Sequence, residues 1–267
     1  MKIAWLTDLH LNFCGTMPTV SFFKTLCTYH PDLNAIIISG DISDADDVID
    51  YLKVIEQTYQ KKIYFVLGNH DFYKGSIKEV YNSIKDTTRY SEYLEWLTTS
   101  QPIKLSKNTC IIGRESWNDG HYGDWEASNV ILNDYRYIKE FTGLTKEELW
   151  YKLDKLARDV AKKMKASLLR SLVLCNNVIL VTHVPPFKEA CKYGGHISGD
   201  EYLPHYSNKI IGDMLLDVMK GYPDKQLTVL CGHTHNKTEV LIQRNLLVKV
   251  GGAEYGLPQL QEILDIS

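Results

Sequence analysis

Eight apolar runs of five or six residues recur along the chain, and they constrain its fold more than any other feature. They occupy residues 2–7, 35–39, 62–67, 109–113, 177–182, 227–231, 239–243 and 246–250. Runs this short and rich in branched side chains predict buried strands. Helical periods lie between them. Val48, Tyr51, Leu52 and Ile55 fall at i, i+3, i+4 and i+7, which predicts an amphipathic helix over 45–59. Thr145 stands three residues before Glu148, a capping box, and Leu149, Leu153, Leu156, Val160 and Met164 continue one stripe behind it. A third helix is expected over 208–220, with Ile211, Leu215 and Val218 facing inward. The alternation predicts α/β layering, with the last two strands joined as a hairpin at Arg244-Asn245. No linker, low-complexity tract or internal repeat appears. The expectation is therefore one domain over 1–267, with an inserted helical and loop region at about 72–176.

The residues that follow these runs are unusual for their chemistry. After the first come Asp8 and His10; after the second, Gly40 and Asp41; after the third, Gly68, Asn69, His70 and Asp71. Later runs are followed by His183 and by Gly232, His233 and His235. In an α/β sheet the carboxyl ends of strands share one edge, where ligands bind, so residues distant in sequence converge there. Asp, His and Asn make an oxygen and nitrogen donor set without thiolates, suited to Mn, Fe or Zn. There are too many donors for one ion, and two metals, typically ~3.5–4 Å apart, are the natural count. Gly40, Gly68 and Gly232 each stand directly before a candidate ligand, where the chain must leave its strand sharply. In the His-x-His and Asp-x-His pairs, extended backbone would set alternate side chains on one face.

These blocks, "DLH" (8–10), "GDISD" (40–44), "GNHD" (68–71), His183 and "GHTH" (232–235), resemble the calcineurin-like metallophosphoesterase superfamily. The resemblance implies a four-layer α/β/β/α sandwich with a dinuclear centre, holding two divalent or mixed-valence metal ions, at the C-terminal ends of the strands. It implies that Asp8, His10 and His235 hold one metal, that Asn69, His183 and His233 hold the other, and that Asp41 bridges them. It further implies that His70 contacts substrate and protonates the leaving oxygen, with Asp71 orienting it. The chemistry is consistent: paired cations neutralise phosphate and make hydroxide available near neutral pH, and an imidazole holds and releases a proton there. Asp44 reads as a loop acid or helix N-cap, not a ligand.

The bulk numbers exclude other classes. Thirty basic and 33 acidic residues leave a formal charge of −3, with no lysine or arginine run. This argues against nucleic acid as a partner, since tracking phosphates needs a basic stripe. The expected partner is a small phosphorylated substrate, a phosphomonoester or phosphodiester. A nuclease and a metal-binding scaffold on the same fold are the alternatives; retention of every ligand argues for chemistry. No run approaches the roughly 20 apolar residues of a membrane span. The opening segment is broken by Asp8 and His10 and does not read as a signal sequence. Cys14, Cys27, Cys110, Cys175, Cys191 and Cys231 form no Cys-x-x-Cys pair, a usage that suits free thiols in a cytoplasmic protein.

Specificity is expected in two loops. The stretch 113–129, rich in Trp, His, Tyr and Gly, offers Arg114, Trp117, His121 and Tyr122 as substrate contacts. The stretch 193–208, between two ligand blocks, offers His196.

Overall fold

In the computed structural model, which describes residues 1–266, the apolar runs form two sheets packed face to face. The elements in chain order are β1 (Lys2–Leu6), α1 (Thr16–Tyr29), β2 (Leu33–Ser39), α2 (Val48–Tyr59), β3 (Lys62–Val66), α3 (Ile77–Arg89), β4 (Leu94–Trp96), β5 (Ile103–Lys104) and β6 (Thr109–Gly113). They continue as α4 (Asp134–Tyr137), α5 (Lys146–Leu174), β7 (Asn177–Val181), β8 (Lys192–Tyr193), β9 (His196–Ile197), α6 (Leu203–Tyr206) and α7 (Lys209–Lys220). Last come β10 (Gln226–Cys231), β11 (Thr238–Gln243), β12 (Leu246–Val250) and β13 (Glu262–Asp265).

The first sheet runs β13-β1-β2-β3-β4, and the second runs β11-β12-β10-β7-β6-β5. Strands β1 to β4 are parallel, as are β12, β10, β7 and β6; β13, β11 and β5 pair antiparallel at the edges. Successive side chains alternate between the faces, and the central strands β1, β2, β3, β7 and β10 are apolar on both because both are covered. Ile3, Trp5, Ile37 and Val66 meet Ile111, Ile179, Val181 and Leu230 between the sheets. Ala4, Leu6, Ile36, Ile38 and Phe65 pack outward with Phe23 of α1, Leu52 and Ile55 of α2 and Ile84 of α3. On the opposite surface Leu180 and Val229 pack with Met164 and Leu168 of α5 and Ile211 and Leu215 of α7. The four-layer α/β/β/α order follows, and each such aliphatic side chain contributes roughly 1.5–3 kcal/mol by leaving water.

The expected helices are present with altered limits. The Thr145 capping box forms in both directions, and the helix behind it runs on to Leu174, burying Leu168 and Leu172 beyond the stripe read from sequence. The helix expected from 45 begins at Val48, after Asp47. Asp44 is not its cap; its carboxylate instead pairs with Lys74 at 2.7 Å. Helices α1 and α3 and strands β4, β5 and β13 were not expected. Both helices nevertheless carry the i, i+3, i+4, i+7 stripe, Thr19, Phe22, Phe23 and Leu26 in α1 and Ile77, Val80, Tyr81 and Ile84 in α3, set among polar neighbours. The region 72–176 is woven into the layers: it supplies β4 to one sheet and β5 and β6 to the other.

The cysteines depart from expectation. Cys110 on β6 and Cys175 just beyond α5 are joined by a disulfide across 65 residues. The pairing left no mark in the sequence because the long crossover through α5 brings the two sulfurs together. A bonded pair removes the argument for a reducing compartment that rested on free thiols. Among the described residues, no helix is long and apolar enough to cross a membrane.

Candidate metal centre

The C-terminal ends of β1, β2, β3, β7 and β10 converge across the seam between the sheets. The convergence is not produced by extended backbone. Asp8, His10, Asp41, His233 and His235 all have φ between 43° and 71°, in the left-handed region. Each such turn costs roughly 1–2 kcal/mol for a residue with a Cβ. Five of them around one point turn these donors off the line of their strands and toward a common centre, in place of the extended backbone expected for the His-x-His and Asp-x-His pairs. Strain of this kind concentrates at functional sites. The glycines allow the strand ends to close up: a Cβ on Gly68 would lie 2.2 Å from Asp41 Oδ1, and one on Gly232 would lie 1.9 Å from Asp8 Oδ2.

Two groups of donors result. Asp8, His10, Asp41 and His235 place ligand atoms all within 4.8 Å of one another. In this group His10 Nε2 and His235 Nε2 are 3.0 Å apart, and Asp8 Oδ1 lies 3.4 Å from His235 Nε2. Beside it, Asn69 Oδ1 lies 2.9 Å from His183 Nε2 and 3.0 Å from His233 Nδ1. Asp41 stands between the groups, with Oδ1 3.3 Å from His183 Nε2 and Oδ2 3.8 Å from His10 Nε2. Donors ~2.1 Å from a shared ion sit ~3–3.4 Å from each other, so this spacing fits metal coordination.

Hydrogen bonds fix which nitrogens face inward. His183 Nδ1 donates to the Ser39 carbonyl at 2.9 Å, leaving Nε2 toward the centre. His233 Nε2 donates to the His205 carbonyl at 3.2 Å, leaving Nδ1 inward. Such outer bonds set the tautomer of a ligating imidazole. Burial pushes His10 and His233 down to about 4, so both are neutral at pH 7. Burial opposes the charge on His183 too, but the neighbouring Asp41 carboxylate outweighs it and lifts that imidazole to about 10. His235 is also raised, burial being overcome by its hydrogen bond to Asp8. Burial likewise disfavours the Asp41 carboxylate, yet His183 and its other imidazole neighbours hold it well below the usual range.

His70 lines the cleft in front of these groups, its ring stacked on Tyr73 at 4.1 Å and 4.5 Å from His10. Asp71 does not orient it. The Asp71 carboxylate is fully buried and accepts the backbone N–H groups of Ile42, Ser43 and Gly68 at 2.8–2.9 Å, tying the β2 and β3 loops together. The expected substrate contacts lie elsewhere. Trp117 is 2% exposed, packed against Phe72 and Phe141 in the core. Arg114 donates to the Thr98 carbonyl at 2.7 Å, and His121 pairs with Asp154 of α5 at 2.7 Å. Tyr122 lies beneath Lys209. None of these four lines the cleft. The second expected loop does reach it, but through Tyr193, Ile197, Ser198, Gly199, Tyr202 and Tyr206, with Lys192 just ahead of the loop; His196 is exposed outside it.

The cleft, about 710 Å³, also shows residues that sequence reasoning missed. Asp134, fully buried on α4, accepts from Asn69 Nδ2 at 2.8 Å and from the Tyr73 hydroxyl at 2.6 Å. Asn69 is thereby turned with Oδ1 toward the imidazoles. Tyr255, in the loop after β12, covers His10 at 4.4 Å and His235 at 5.2 Å. His205 carries the carbonyl that fixes His233, while its own ring is held by Ser128 and Tyr135. Neither Asp134 nor Tyr255 stands beside a strand-end block, the one local signal that could have marked them.

The description calcineurin-like phosphoesterase belongs to the family model that matches residues 1–237. Among solved structures, a phosphopantetheinyl hydrolase from Mycobacterium tuberculosis is similar with a TM-score of 0.71 at 14% identity, covering 96% of this chain and 90% of that one. A dimetal phosphatase from Danio rerio is similar with a TM-score of 0.57 at 13% identity, covering 94% and 87%. At such identities the likeness is one of fold. No match is found among curated protein sequences.

Proposed function

We propose, from the premise that this chain belongs to the calcineurin-like phosphoesterase family, that its strand-end cluster hydrolyses the phosphate ester of a small organic substrate. Family and fold carry the reading as far as a metal-dependent phosphoesterase; the residue roles rest on geometry. The observation that carries them is Asp41, whose two carboxylate oxygens address two separate groups of donors. Asp8, His10 and His235 would hold one ion, Asn69, His183 and His233 the other, with Asp41 shared. Two such ions, drawn from Mn, Fe and Zn, would offset the charge of the phosphate and make water nucleophilic near neutral pH.

The chain's own residues do the rest. Buried carbonyls hold His183 and His233 in the ligating tautomer. His70, at the open side of the cluster, can reach the leaving oxygen and give it a proton, and Tyr73 holds the ring by stacking. The cleft's single lysine and net acidic chain suit a small phosphorylated substrate better than nucleic acid.

The test combines metal analysis of purified protein with hydrolysis of p-nitrophenyl phosphate and its bis ester, with added Mn, before and after chelation. The expected result is chelator-sensitive hydrolysis that Asp41→Ala or His233→Ala abolishes, while His70→Ala retains metal and loses about 10²-fold or more in kcat. Full activity in either ligand variant would overturn the assignment.

A further inference from the structure

Resting on that reading, we infer that the wall of the cleft built by β8, β9 and the loop after them is a leaving-group subsite, and that the substrate's organic portion bears a flat apolar moiety and a second anionic group. Two observations point there. Among the described residues lining the cleft, Lys192 is the one lysine or arginine, and no carboxylate or hydrogen-bond acceptor holds its ammonium. Around Lys192 stand large apolar side chains turned to water: Tyr193 is 78% exposed, Tyr202 49% and Ile197 46%. Cross-strand pairing sets Lys192 opposite Ile197.

Apolar side chains left exposed in a concave wall gain by being covered, and an unpaired lysine among them selects what covers them. The same cleft is lined by the catalytic groups Asp41, Asn69, His70, His233 and His235, with Tyr206 in ring contact with His233 at 5.3 Å. A volume of about 710 Å³ holds much more than a bare phosphate, so an ester seated at the metal centre has room to lay its organic portion against the tyrosines and bring a remote anion to Lys192. A charge-assisted hydrogen bond there would be worth about tenfold in affinity.

A matched pair of probes isolates the effect: phenyl phosphate and para-carboxyphenyl phosphate as substrates, and the two corresponding phosphonates as non-hydrolysed ligands. All are used with the Mn-loaded protein. Wild type should favour the carboxylated member of each pair about tenfold, in KM for the esters and in Kd for the phosphonates. Lys192→Ala should bring the ratio of the two KM values, and of the two Kd values, to about one, and Lys192→Arg should restore most of the preference. Equal binding of the two phosphonates to wild type, or a preference that survives in Lys192→Ala, would overturn the subsite. Failure of the underlying reading looks different: neither ester would be hydrolysed in a metal-dependent way, whereas the phosphonate titrations still judge Lys192.

Discussion

The carboxylate of Asp134 accepts a hydrogen bond from the side-chain amide of Asn69 at 2.8 Å, and this contact, with a longer one from the same Nδ2 to the Tyr73 hydroxyl at 3.4 Å, sets which end of the amide faces the imidazoles. With Nδ2 engaged, Oδ1 is presented to His183 and His233. Asp134→Ala should free the amide to rotate and lower metal affinity by about 10–100-fold, the usual effect of losing an outer partner of a ligand. Metal titration of the variant against wild type measures this; unchanged affinity would show that Asp134 does not position Asn69.

Gly232 tests the close approach of the strand ends. A methyl group there collides with Asp8 Oδ2 and Thr7 Oγ1, at 1.9 and 2.3 Å. Gly232→Ala should displace Asp8, break its bond from the His233 backbone N–H, and cost about 100-fold or more in activity together with metal content. Gly221→Ala, whose nearest neighbour is the Val218 carbonyl at 3.4 Å, is the control, with stability expected within about 0.5 kcal/mol of wild type.

Metal-depleted protein should have a bell-shaped dependence of stability on pH. His10 and His233, held down to about 4, take up protons in the unfolded chain before the folded one, so their effect is a loss of stability as pH falls from about 6.5 toward 4. His183, held up to about 10, works the other way. Its protonated form favours the fold below about 6.5, and that contribution is lost as pH rises toward 10; His235 acts in the same sense. These four imidazoles therefore place an optimum near 6.5. Because ligation needs the neutral ring, metal uptake at pH 7 should also expel the His183 proton. Denaturant melts across pH and titration calorimetry in buffers of different ionisation enthalpy check both. A stability that rises steadily from pH 6.5 to 10 without metal would contradict the assignment.

Trp117 and His196 separate core from cleft. Trp117→Ala should destabilise the fold by about 3–5 kcal/mol, as emptying an aromatic core position does, with KM unchanged in the protein that remains folded. His196→Ala should alter neither stability nor kinetics on any ester. A KM shift in either variant would return that residue to the substrate path.

The candidate ligands were legible because each is a chemically distinctive residue directly beside a strand-forming run, so local pattern and chemistry mark the same place. The α/β order was legible for the same reason: Ile36, Ile37 and Ile38 announce a strand buried on both faces. What was not legible depends on contacts distant along the chain. Trp117 in a glycine-rich loop reads equally as a substrate platform or as core, and Phe72 and Phe141 decide it. Asp134 is an ordinary acid in sequence, and only its distance to Asn69, 65 residues away, gives it a role. Asp71 looked like a partner for its neighbour His70, but three backbone N–H groups claim its oxygens first.

Because the β1, β2 and β3 loops belong to one sheet and the β7 and β10 loops to the other, each group of donors draws on both halves of the sandwich. Cations seated there would act as rivets through a laminate, resisting slippage of one ply over the other. Loading the centre should thus suppress hydrogen exchange in β1 and β10, far beyond the loops that touch the ions, and stripping it should let the two plies breathe independently.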